Sequence, residues 1–119
     1  MLLLIIFLLV LPMVSFGATL NLKASWVAPT TNADGTPCTD LSKFRVYRTD
    51  GARTKMCEVS ALTCSFSVLV SNDSTGVLSF VATAVDTSNN ESVDSSTATF
   101  NWNTEVAPAA PGTFKIELQ

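Results

Sequence analysis

Three cysteines, Cys38, Cys57 and Cys64, and a scatter of carboxylates are the only side chains here whose chemistry reaches beyond packing, because the chain has no histidine. That absence removes Ser/His/Asp and Cys/His nucleophilic catalysis and His-based zinc sites. The carboxylates form no paired arrangement and there is no phosphate-binding glycine loop, so no catalytic residue is assigned and no enzyme activity is expected. Asp86, Asn89, Asn90 and Glu91 place four oxygen donors within six residues. Their spacing fits no EF-hand loop and their residue types are those of an Asx turn, so turn chemistry is the preferred reading over calcium, as it is for Asp34 and Asp40. No cofactor and no metal is expected.

Odd cysteine counts in exported chains suggest one bridge and one spare thiol. Cys57 and Cys64 are the expected pair: six residues separate them, and Ser60, Ala61 and Leu62 lie between two strand-like runs, where the chain can turn. The alternative is three reduced, buried thiols acting as small apolar groups. Export is itself an expectation, drawn from Met1 to Val14, MLLLIIFLLVLPMV, which carries no charge. Its apolar core is too short for a membrane-spanning helix, and Ser15 and Gly17 supply the small residues of a cleavage site after Gly17. No Lys or Arg precedes the apolar run, which leaves an uncleaved anchor as the alternative. No cysteine follows the cut, so lipid anchoring is not expected. The division read from the sequence is therefore a signal peptide over 1–17, one domain over 18–103, and a Pro/Ala linker with a strand-like tail over 104–119. The product is expected to be secreted, extracellular or periplasmic, with no stable membrane insertion.

Past the expected signal the chain is rich in Thr, Ser and Val and is interrupted every eight to twelve residues by Gly, Pro, Asn or Asp. No helical period appears, and the rhythm is that of an all-β sandwich of about six to seven short strands. Thr19–Val27 alternates Leu20, Leu22, Ala24 and Trp26 with polar residues. Lys43–Arg48, Thr54–Val59 and Leu62–Val70 follow, then Val77–Asp86, whose Leu78, Phe80, Ala82 and Ala84 share one face above a partly apolar second face, the pattern of a central strand. Ser96–Trp102 is the sixth. Thr104–Gly112 reads as linker, and Thr113–Leu118 alternates Phe114, Ile116 and Leu118. Seven basic residues against ten acidic leave no basic footprint for nucleic acid or an anionic membrane surface.

The runs SWVAPTTNADGTP, KFRVYRTDG and FVATAVDTSNNES, in that order, resemble a fibronectin type III domain over Leu20 to Asn101. The resemblance implies an immunoglobulin-like two-sheet sandwich with Trp26 in its core beside Leu78 and Phe80, and Tyr47 at the aromatic position of the third strand. The tyrosine that the family places early in its sixth strand is Leu78 here, so the usual tyrosine corner is missing. The family's first strand has no counterpart between the cleavage site and Leu20, whereas Ala107–Leu118, APAAPGTFKIEL, looks like such a strand placed after the last one.

Two functions follow as expectations. The first is a secreted, non-catalytic binding or adhesion module that recognises a protein or polysaccharide through loops at Thr30–Pro37, Asp50–Arg53 and Thr87–Ser92. The second is a structural subunit that self-associates head to tail, donating Phe114, Ile116 and Leu118 as an assembly strand. Self-insertion of the tail, a loose tail and a remnant of a tandem array are the alternatives for 104–119. Arg45, Arg48 and Arg53 with Tyr47 are either a recognition patch or an ordinary solvated strand face, the latter preferred. Asn72-Asp73-Ser74 and Asn90-Glu91-Ser92 match the N-glycosylation sequon, both in expected turns.

Overall fold

The computed structural model describes residues 17–119; the expected signal lies, apart from Gly17, outside the described residues. Six strands follow in chain order: β1 (Ala18–Ser25), β2 (Leu41–Arg48), β3 (Thr54–Val59), β4 (Thr63–Val70), β5 (Thr75–Asp86) and β6 (Ala98–Asn103). There is no helix among the described residues, and hence none long and apolar enough to cross a membrane. The strands form two antiparallel sheets, β1–β4 and β3–β2–β5–β6, and the six strands expected between Thr19 and Trp102 are present.

Alternation decides which side of each strand is buried. On β1 the inward residues are Leu20, Leu22 and Ala24, and Trp26 continues the series, its backbone N–H donating to the Leu62 carbonyl of the β3–β4 turn. On β2 the inner face is Phe44 and Val46; on β4 it is Cys64, Phe66, Val68 and Val70. Leu78 and Phe80 of β5 complete the core, Leu78 being 1% exposed. Trp26 is partly buried against this cluster, with its ring 5.5 Å from that of Phe44, and Phe66 meets Phe80 at 5.2 Å.

The two long sides of the sandwich differ. Along one, β3 turns directly into β4, and a Cys57–Cys64 disulfide joins the sheets with Cα atoms 6.7 Å apart; Cys38 is the free cysteine. A disulfide of this kind belongs to an oxidising compartment, extracellular or periplasmic. Along the other side, β1 and β6 are the sheet edges, and among the described residues no strand pairs with either outer edge. The segment 104–119 forms no strand: the alternation of Phe114, Ile116 and Leu118 is there, but past Val106 its backbone finds no hydrogen-bond partner among the described residues. These three side chains are 82%, 86% and 102% exposed.

β5 shows the consequence of the open side. Its inner residues Ala82 and Ala84 are only half-buried, while Val81, Thr83 and Val85 on its outer face are buried. The outer face is covered because Tyr47, Arg45 and Lys43 of β2 stand directly opposite Val81, Thr83 and Val85, and their ring and aliphatic stems lie over them. The inner face is under-covered because a two-stranded sheet lies against a four-stranded one.

Candidate functional site

The open side is a groove of about 480 Å³ between the free edge of β1 and the inner face of β6. Leu22 to Trp26 form one wall, Ser95, Ser96 and Ala98–Phe100 the other, and Val46, Phe66, Phe80 and Ala82 the floor. Phe100 faces the interior, opposite Leu78, yet is 43% exposed because none of the described residues lies over it. The Trp26 indole N–H is buried without a hydrogen-bond partner among the described residues. Because Trp26 bonds toward β4, Ala24 and Leu22 in the same antiparallel ladder also bond toward β4. The backbone groups of Lys23 and Ser25 therefore point out of the free edge. An apolar trough beside a row of unpaired amides and carbonyls is what a sheet offers to an added strand.

The loops divide differently from the sequence expectation. Thr31–Ala33, Cys38 and Asn90–Ser95 meet at the end of the sandwich where β1 finishes, around a second groove that also touches Trp26 and Phe44. The Asp50 turn is not with them. β2 carries it to the opposite end, where Arg48 and Asp50 share a surface with Gly17, Val70 and Trp102, and the Ser60–Leu62 turn stands beside Trp26 instead. An odd number of strand crossings separates Asp50 from the other two loops, which a turn-by-turn reading passes over.

The arginines are likewise separated. Arg48 pairs with Asp50 at 2.9 Å, whereas Arg45, Tyr47 and Arg53 converge on the outer face of β2. Glu91 holds this convergence together: it accepts from Thr83 Oγ1 and Tyr47 Oη at 2.6 Å on one oxygen and from Arg45 at 2.8 Å on the other. Those bonds keep the Glu91 carboxyl below its ordinary pKa, and the hydrogen bond that Tyr47 donates to it, with the carboxylate's charge, pushes the Tyr47 phenol up. Arg45 also donates to Glu58 at 2.6 Å, which, with help from Lys43, lowers the Glu58 carboxyl to about 2. Arg53 lies 4.1 Å over the Tyr47 ring and forks onto Asp94 at 2.8 and 3.0 Å. Each cation here is answered by a carboxylate of the same chain, so the face is an internal latch for the 87–95 segment.

The oxygen donors weighed for calcium are divided among separate tasks. Asp86 accepts from the Ser88 and Asn90 amides and from Asn90 Nδ2, closing its own turn, with Asn89 at φ 65, while Glu91 faces the latch. Asp34 accepts from Thr36 in the same manner. What the sequence did not disclose is the anchoring of the tail's root. The Thr104 amide donates to the Ser74 carbonyl at 2.8 Å, its hydroxyl to the Ser71 carbonyl at 2.7 Å, and the Val106 amide to Asp73 Oδ1 at 3.3 Å. An Asn-Asp-Ser turn followed thirty residues on by a threonine carries no recognisable signature.

Comparison with protein-family models, with curated proteins and with solved structures finds no match to this chain.

Proposed function

We propose that this chain is a secreted, non-catalytic assembly module: a fibronectin type III-like sandwich that lacks its first strand and is completed by a strand added at the free edge of β1, with 104–119 as the donor. The observation that carries the reading is the pairing of an uncovered apolar groove along β1 with an unpartnered alternating segment in the same chain. Three bulky side chains at period two stand in solvent, and three inward positions of β1 lack cover on the matching side. Joining them removes both exposures, and hydrogen bonds to the free edge fix the pairing.

A test on the full chain is native mass by light scattering, for the parent and for Ile116→Asp, which puts a charge on the inserting face. The expected result is oligomers for the parent and monomer for the variant, with added peptide of residues 107–119 binding the variant and raising its unfolding midpoint. Equal monomers that ignore the peptide would overturn the proposal.

A second reading, recognition of a protein or polysaccharide through the loops, rests on the groove at the end of the sandwich lined by Trp26, Thr31, Asn32, Leu41 and Ser92. Binding of a glycan or protein that survives Ile116→Asp and is lost on Asn32→Arg is its expected signature.

A further inference from the structure

The strand-accepting reading, on which this inference rests, leaves open the direction and register in which the tail fills the slot, and what keeps a chain's own tail out of it. β6 runs antiparallel to β1: Ala98–Phe100 lie beside Leu22–Trp26, whereas Trp102 lies beside Gly17 and Val70, at the start of β1. The chain thus leaves β6 at the end where β1 begins. There the bonds of Thr104 and Val106 to the 71–74 turn fasten its root.

The direction of insertion follows from what must meet in the slot. The inward positions that line it are Leu22, Ala24 and Trp26, and Lys23 and Ser25 supply the free backbone groups. A five-residue donor, Phe114–Leu118, matches this five-residue wall. Laid antiparallel with Phe114 opposite Trp26, it sets Ile116 over Ala24, the smallest inward residue, and Leu118 over Leu22. On the solvent side, Lys115 falls opposite Ser25 and Glu117 opposite Lys23, an opposite-charge cross-strand pair. Sliding the donor two residues toward the start of β1, or laying it parallel with Phe114 beside Leu22, brings Lys115 opposite Lys23, and like charges across a pair repel.

In this arrangement Phe114 enters at the Trp26 end, opposite to where its own chain leaves β6. From Ala18 to Trp26 the strand covers about 26 Å at 3.3 Å per residue. From Val106 to Phe114 the chain reaches about 26 Å when fully extended, and Pro108 and Pro111 hold it nearer 3.1 Å per residue. Nothing remains for reversing direction while the root stays fastened. A second copy has no such restriction. We infer that the slot is filled in trans, by Phe114–Leu118 of a second copy running antiparallel to β1, with Phe114 opposite Trp26 and Glu117 opposite Lys23. Each subunit then offers one slot and one donor at opposite ends, a heterologous contact that builds an open chain of subunits.

The test uses full-length protein with Cys38→Ser, so that the native disulfide is the only other sulfur chemistry. Lys23→Cys is placed in one preparation and Glu117→Cys in another, and the two are mixed and mildly oxidised. The expected product is a covalent heterodimer, and the chain carrying both changes gives a ladder of covalent oligomers. A covalent monomer from the doubly changed chain would overturn filling in trans, and preferential capture of Lys23→Cys by Lys115→Cys would overturn the register. A labelled peptide of residues 107–119 added to Ile116→Asp separates the two levels of failure. Peptide binding without the 23–117 crosslink overturns the register alone, and absence of peptide binding overturns the strand-accepting reading and this inference with it. Lys23→Glu is expected to weaken the peptide about two- to fivefold, with Glu117→Lys in the peptide restoring it.

Discussion

Glu91 accepts from three side chains that come from two strands, and Glu58 accepts from Arg45 and forms ion pairs with Lys43 and Lys55, so the outer face of the larger sheet is held by carboxylates that must stay ionised. Both groups have folded-state pKa values below their ordinary range, Glu58 from 4.5 to about 2, chiefly through the Arg45 bond. A depressed carboxyl adds stability above its unfolded pKa and loses it as pH falls through the folded one. With no histidine in the chain, stability is expected to be nearly flat between about pH 5 and 8. The urea midpoint should then fall between about pH 4.5 and 2. Glu58→Gln, measured over the same range, is expected to make that fall shallower; an unchanged slope would place the loss elsewhere. Arg45 and Tyr47 were visible in the sequence as a cluster, but their partner was not: Glu91 read as a turn residue, and only the opposition of Arg45 to Thr83 and Tyr47 to Val81 turns it toward them.

At the level of elements, the turn joining β3 to β4 is closed by Cys57–Cys64, and in the chain-entropy model so short a loop contributes roughly 2 to 3 kcal/mol. The double change to alanine also removes the buried Cys64 packing, so a drop of at least that size in unfolding free energy is expected, read from denaturant midpoints. Gly76 has a different reason to be small. A Cβ there would meet the Trp102 ring at 2.6 Å, so Gly76→Ala is expected to cost about 1 to 3 kcal/mol, and Gly76→Ala with Trp102→Leu to recover part of it. All six strands were legible because each is bounded by turn residues and all but β3 alternate, with β5 marked as central by its two apolar faces; β3 breaks its alternation at a bulge, where Met56 has no partner between the Val46–Cys57 and Tyr47–Lys55 pairs. What alternation does not carry is neighbourhood. Phe114, Ile116 and Leu118 have the strand pattern without a strand, since a strand also needs a partner for its backbone bonds. The Asp50 turn was grouped with the wrong loops for the same reason, because its side of the sandwich depends on how many times the chain crosses.

For the whole molecule, the decisive quantity is the freedom of 104–119 at its root. Thr104 and Asp73 fasten the chain at the end of β6, and they lie far from the slot, so changing them touches neither the donor residues nor the acceptor wall. Asp73→Gly, which suits the φ of 48° at that position, and Thr104→Pro, which removes both the amide and the hydroxyl donor, release all three bonds and add a few residues of free linker, at a small cost in loop entropy. The chain can then reach its own slot, where closure within one molecule competes with donation to the next at an effective concentration far above that of free subunits. At equal protein concentration the released variant is expected to shift from oligomers toward monomer in light scattering while keeping an unfolding midpoint close to the parent's, because the slot is still filled. In the doubly cysteine-substituted chain the same release should turn the covalent ladder into a covalent monomer. Oligomers of unchanged size would mean that the fastening does not choose between cis and trans. A monomer with a sharply lowered midpoint would mean that the 71–74 turn itself stabilises the sandwich.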